Sequence, residues 1–172
     1  MSHAVRHRWA KVRDSLDKDT RAFARTLGAG RSPSSELFVI GTPACEPWHF
    51  VAHLSEEAIR MGRPDLKPLW LRWSVPLGAP RHLSRSVDEI LQVPNGQTVL
   101  VIDPGDDRDS ELLTRVADAK RRGSRIFSLH REDTDLMDLS HETLSVDATR
   151  PPHDFDITQH VVTDLTPQSP LR

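Results

Sequence analysis

The chain has 172 residues, 37% hydrophobic and 28% charged, which suits one globular domain with a real core. A net charge of −2 and an isoelectric point near 6.5 argue against nucleic acid or anionic membrane as the main partner. No run approaches the roughly 18 apolar residues of a membrane span, no apolar segment follows the basic N-terminus as in a secretory signal, and the one cysteine, Cys45, excludes an internal disulfide and fits a reducing cytoplasm.

Residues 3–27 carry Ala4, Val5, Val12, Leu16, Phe23 and Leu27 at roughly helical spacing among charges, which predicts one helix. Residues 28–35 are rich in Gly, Ser and Pro and predict a linker. Residues 1–35 therefore read as an N-terminal helix and linker, 36–165 as an α/β domain, and 166–172 as a loose tail.

The run at 37–40, Leu-Phe-Val-Ile, predicts a buried strand, and Gly41 permits a sharp exit from it. Pro47 suits a helical first turn, and from Trp48 the pattern is helical. Phe50, Val51, Leu54, Ala58, Ile59 and Met61 are expected on its inner side, with His49, His53, Glu56 and Arg60 opposite. His49 and His53, four residues apart, stack on adjacent turns and could share one ion, or could simply belong to a solvated face. Cys45, near a helix start, is either a reactive thiol or a small residue packed under the turn.

Further strands are expected at 68–73, 98–102, 125–129 and 143–146. Between them fall a short helix at 84–91 capped by Ser84 or Ser86, a helix after Asp109 that Gly123 stops, and a short helix at 133–139. A last helix is expected at 155–165. Strands alternating with helices predict a doubly wound parallel α/β sheet with helices on both faces.

From 98 to 147 the order is strand, glycine loop, capped helix ending Ala-Lys-Arg-Arg-Gly, strand, Asp-Leu-Met-Asp-Leu helix, strand. With Gly105, Asp109, Ala119-Lys120 and Gly123 as its framework, and with the first strand and helix, this resembles the sugar isomerase (SIS) domain. The resemblance implies a five-stranded sheet in flavodoxin-like order. It also implies a sugar or sugar phosphate as the small-molecule partner, and a homodimer or homotetramer with sites near subunit boundaries.

Among SIS enzymes the chain is most similar to phosphoheptose isomerase. There, a His followed four positions later by Glu on the first sheet helix binds zinc with groups of the last helix. His49 stands at that His and His53 where the Glu is expected, while Gln159 and His160 lie on the last helix and His153 just before it. The resemblance thus implies zinc on His49, His53 and His160, with Glu46 or Glu56 moving a proton. Gly41, Thr42 and Cys45 in the first loop, and Gly105, Asp107 and Arg108 in the second, are the implied ligand contacts. The second loop departs from the family, however. Ile102-Asp103-Pro104-Gly105-Asp106-Asp107 replaces the usual Ser-x-Ser-Gly-x-Thr phosphate cradle. Two functions stay open: a metal-assisted sugar or sugar-phosphate isomerase, and a non-catalytic SIS relative that binds a ligand or partner for regulation or assembly.

Overall fold

The structure, a computed structural model, describes residues 18–29, 34–80, 83–105, 110–131, 133–147 and 152–168. Expectations that fall on residues 3–17, 106–109 and 169–172 lie outside the described residues. The elements in order are α1 (Lys18–Gly28), β1 (Leu37–Ile40), α2 (Trp48–Arg60), β2 (Pro68–Leu71), β3 (Thr98–Asp103), α3 (Ser110–Arg121), β4 (Arg125–His130), α4 (Thr134–Leu139), β5 (Glu142–Ser145) and α5 (Pro152–Leu165). Short 3-10 helices occupy Pro64–Leu66, Val87–Gln92 and Thr166–Gln168.

The five strands form one parallel sheet in the order β2-β1-β3-β4-β5. The order reverses between β1 and β3, where open α/β sheets place their ligand crevice. Side chains alternate across each strand, so one sheet feeds two cores. Leu37, Val39, Leu100, Phe127 and Leu129 point to one face, which α1, α2 and α5 cover with Phe23, Leu27, Phe50, Leu54, Phe155 and Val162. Phe38, Ile40, Val99, Val101 and Ile126 point to the other, covered by the Val87–Gln92 turn, α3 and α4 through Val87, Ile90, Leu112, Val116, Ala119 and Leu136. Burial on both faces explains why β1 and β3 read as unbroken apolar runs. Within the first face α5 packs against both α1 and α2. Among the described residues no helix is long and apolar enough to cross a membrane.

The structure departs from the expectations in three places. The second strand ends at Leu71, not at residue 73, where Arg72 leaves the pairing with β1 and makes an isolated backbone bridge to Ser86. Its N–H donates to the Arg85 carbonyl, and its own carbonyl accepts from Val87 N–H. The segment expected as a short helix at 84–91 is a 3-10 helix, started by a reciprocal capping box between Ser86 and Glu89. α1 packs on the sheet, one of the two placements expected for a first helix joined by a short linker, and Phe23 meets Phe127 edge to face at 5.7 Å inside the main core. The chain does not loosen at residue 166: Thr166 and Pro167 are buried, and Thr166 Oγ1 donates to the Val162 carbonyl.

The inner side of α2 is narrower than its pattern implies. Phe50, Leu54 and Ala58 are buried, but Ile59 and Met61 are exposed. Ile59 lies about 140° around the helix from Leu54, and Met61 falls at the C-cap, beyond the last turn.

Candidate metal centre

α2 begins just after the carboxyl end of β1, and α5 lies against it. Facing residues of the two helices meet around a crevice of about 10 Å³ lined by His49, Phe50, His53, Asp156, Gln159, His160 and Thr163. Phe50 is buried beneath it, while His53 and His160 are half-buried and His49 is exposed.

Helical spacing stacks His49 and His53, whose ring centroids lie 4.7 Å apart. Tertiary packing brings in His160, 5.0 Å from the His49 ring and 4.5 Å from the His53 ring. One ring nitrogen from each of the three lies within 4.8 Å of the others. The Nε2 atoms of His49 and His53 are 3.3 Å apart. Two nitrogens on one tetrahedral zinc, each about 2.0–2.1 Å from it, stand about 3.4 Å apart. The donor set is all imidazole, which suits zinc and disfavours the oxygen-seeking calcium and magnesium. The residues present therefore fit zinc, and the crevice is the size of an ion rather than of a sugar.

The electrostatics favour bare lone pairs. Burial, then the neighbouring His49, lowers the His53 pKa from the ordinary imidazole value, against a smaller upward pull from Glu56 and Glu57. His160 is lowered by burial and by His53 and His49, with Asp156 pulling it up. A third histidine, His130 at the end of β4, is lowered by burial. Its Nδ1 accepts from Asp133 N–H, and its Nε2 lies 2.7 Å from Thr143 Oγ1.

Each of these three rings takes up a proton more readily in the unfolded chain than in the folded one. Their contribution to stability is therefore complete above the ordinary pKa of 6.5 and is lost as pH falls below it, through the folded values. The metal-stripped protein is expected to show a flat urea midpoint from about pH 8 to 7 and a falling one from about pH 6.5 to 5. A midpoint unchanged over the lower interval would show that the rings are not held neutral.

The other candidate residues gather elsewhere. Glu46 is a brace: its carboxylate accepts from Trp73 N–H at 2.9 Å and pairs with Arg72 at 3.3 Å, tying the loop after β1 to the end of β2. Trp73 Nε1 adds to the tie by donating to the Gly41 carbonyl. Thr42 is buried and caps the same turn, its Oγ1 accepting from Cys45 N–H. A side chain at Gly41 would strike the Cys45 carbonyl at 2.3 Å and Pro47 Cδ at 2.5 Å, so this glycine serves close packing of the loop. Glu56 is exposed on α2, one turn beyond His53.

After β3, Asp103 is buried and its Oδ1 accepts from Gly105 N–H. The left-handed Gly105 packs against the Arg131 backbone. One N–H of the loop is thus already used, and Pro104 has none to give. Asp107, Arg108 and the His153 side chain lie outside the described residues. Asp156 and Thr163 line the crevice between α2 and α5 but escaped the sequence reading. Asp156 precedes His160 by four residues, and that helical spacing was the available signal.

No family model and no curated protein matches the sequence. Solved structures do match. The NanR protein of Vibrio vulnificus, complexed with ManNAc-6P, superposes on 92% of this chain at a TM-score of 0.57 and 15% identity. A Listeria monocytogenes protein put forward as a sugar-phosphate isomerase superposes on 95% at 0.56 and 13% identity. The sugar isomerase domain of an RpiR transcription factor from Sphaerobacter thermophilus superposes on 93% at 0.56 and 9% identity. The chain spans 56% of the length of NanR, and 82% and 84% of the other two. At these identities the likeness shows the fold, which is that of the sugar isomerase domain.

Proposed function

We propose that this sugar-isomerase fold carries a zinc-assisted sugar or sugar-phosphate isomerase, with His49, His53 and His160 as the metal ligands. The observation behind this reading is the convergence of three imidazoles from two helices on one ion-sized crevice. The structural neighbours support the ligand class: one was solved with ManNAc-6P, and another was put forward as a sugar-phosphate isomerase.

Bound zinc would supply a Lewis acid for a sugar carbonyl or hydroxyl oxygen. The chain's own residues supply the rest. His53 and His160, held neutral by burial and mutual repulsion, present lone pairs without first losing a proton. Glu56 is the carboxylate suited to take the proton from the carbon beside the carbonyl and return it to the former carbonyl carbon. The accompanying hydroxyl proton moves to the carbonyl oxygen, so aldose and ketose interconvert with no co-reactant. Glu46 is occupied by Arg72 and Trp73 and has no comparable freedom.

A second reading has its own support. The turn at Asp103–Gly105 offers few donors to a phosphate, and two of the neighbours are NanR and an RpiR transcription factor. In that reading the protein binds a sugar phosphate without changing it. An NMR time course with heptose and ketose phosphates separates the two. The isomerase reading expects turnover that a chelator abolishes and that Glu56→Gln slows by about 10²–10⁴-fold. A phosphosugar that binds and stays unchanged with zinc present would leave the second reading.

A further inference from the structure

The carboxyl end of β4 buries a histidine outside the metal crevice. His130 is 1% exposed and lies on the α3/α4 side of the sheet, opposite Asp103 on β3 and Ser145 on β5. Its Nδ1 accepts the Asp133 N–H at 3.0 Å, so in the neutral ring the proton sits on Nε2, 2.7 Å from Thr143 Oγ1. From Thr143 a run of hydroxyls continues through Ser128 at 3.0 Å and Ser140 at 2.8 Å to the Leu136 carbonyl at 2.8 Å. Each hydroxyl has one proton to give, and the run closes on a carbonyl that only accepts. One connected network thus reaches both ends of α4, with Asp133 as its N-cap and Ser140 as its C-cap. Thr143 and His130 are not a nucleophile and its base, because the nitrogen facing the hydroxyl already carries the proton.

A proton added to Nδ1 would meet the Asp133 N–H, two donors on one line. Among the described residues, the charged groups beside the ring are Asp133 at the start of α4 and Asp103 from β3. The other elements bring none: α3 turns Leu112, Val116 and Ala119 to the sheet, α4 turns Leu136, and β5 presents the hydroxyls of Thr143 and Ser145 on this side. Asp103 Oδ1 already accepts from Gly105 N–H. Burial lowers the ring's pKa and the Asp133 carboxylate pulls it up; burial is the larger effect, so the ring takes its proton below the ordinary 6.5.

We propose that His130 is an acid switch for α4: on the protonated ring, Nδ1 trades the Asp133 N–H for the Asp133 carboxylate, which thereby lets go of the Asp135 and Leu136 amides it caps. The movement reaches the turn after β3 through the next residue. Arg131 N–H donates to the Asp103 carbonyl, and Gly105 packs so closely on the Arg131 backbone that a side chain there would come within 3.0 Å of its carbonyl oxygen. Acid therefore loosens the turn beside the crevice where the strand order reverses. The switch needs neither zinc nor substrate.

NMR between about pH 8 and 5, within the range where circular dichroism stays native, tests it. At the alkaline end the His130 ring is expected with its proton on Nε2 and none on Nδ1. As the ring charges, the amide protons of Asp135 and Leu136 should shift upfield and that of Gly105 should move in the same step. His130→Asn, whose carbonyl oxygen can accept the Asp133 N–H but cannot charge, should keep all three amides still. Asp133→Ser caps α4 through a hydroxyl but offers the ring no carboxylate. Its ring should charge at a lower pH than in wild type, with the cap amides unmoved. A proton on Nδ1 at the alkaline end, a ring that stays neutral until the whole chain unfolds, or cap amides that shift alike in His130→Asn would overturn the switch. A Gly105 amide that stays still while the cap opens would overturn its reach to the β3 turn.

Discussion

Replacing His160 by alanine is expected to strip the protein of zinc. His49 and His53 alone would leave two ligands one turn apart on a solvated helix, and zinc sites in proteins ordinarily need at least three protein ligands. Wild type purified without chelator should carry about one zinc per chain by elemental analysis, and His160→Ala close to none. The ion binds the folded chain through two helices, so it stabilises that state by linkage. At a free zinc level near 100 times Kd this amounts to about 2.7 kcal/mol. For a chain of this size that is roughly 5–10 °C in Tm, present in wild type and absent in the variant. In the metal-free state the substitution should cost little, since it removes a half-buried ring whose protonation is already disfavoured by burial and by the neighbouring His53 and His49. A wild type that neither carries zinc nor gains Tm from it would sink the metal site, whatever its rings do in the absence of ion.

The largest loss of stability is expected from Arg63→Ala, a residue with no part in the proposed chemistry. Arg63 is 5% exposed and sits just past the end of α2. Its guanidinium grips Asp65 through two bonds of 2.9 and 2.8 Å and donates a third, at 2.9 Å, to the Gly28 carbonyl at the end of α1. One side chain thus fastens the ends of two helices that cover the same face of the sheet. Alanine would leave the Asp65 carboxylate, 8% exposed, without this partner, and a C-terminal carbonyl of α1 without this donor. Breaking a buried ion pair from one side costs about 3–5 kcal/mol, most of it the penalty of the stranded charge. Arg63→Ala/Asp65→Ala should therefore be more stable than Arg63→Ala alone, and urea denaturation of the set would show it. A loss under about 1 kcal/mol for the single variant would mean that the pair is solvated in solution.

The two predictions differ in how readable their residues were. The sheet was legible because burial on both faces forces long apolar runs at 37–40 and 98–103, and because Gly41 and Gly123 punctuate them. The His49–His53 pair was legible from helical spacing alone. That His160 meets it depends on how α5 lies across α2, a long-range contact with no local pattern, and the family resemblance supplied it. Ile59 misled because an apolar residue at near-helical spacing looks like core, whereas its angle sets it on the same exposed side of α2 as Trp48. Arg63 was invisible for the opposite reason. A lone arginine after a helix reads as solvated, and only the fold reveals that it is enclosed between Asp65 and the end of α1.

The placement of α5 over α1 and α2 also bears on how the chain is made. Strands β1 to β5 emerge from the ribosome nearly in the order in which they line up, so most of the sheet can zip together during synthesis. Its α1/α2 side stays incomplete until α5 leaves the exit tunnel, with Phe23, Leu27 and Leu54 waiting for Phe155 and Val162. Translation products that stop short of α5 would expose that greasy flank to chaperones and would lack His160, the one ligand of the proposed metal site that α2 does not carry.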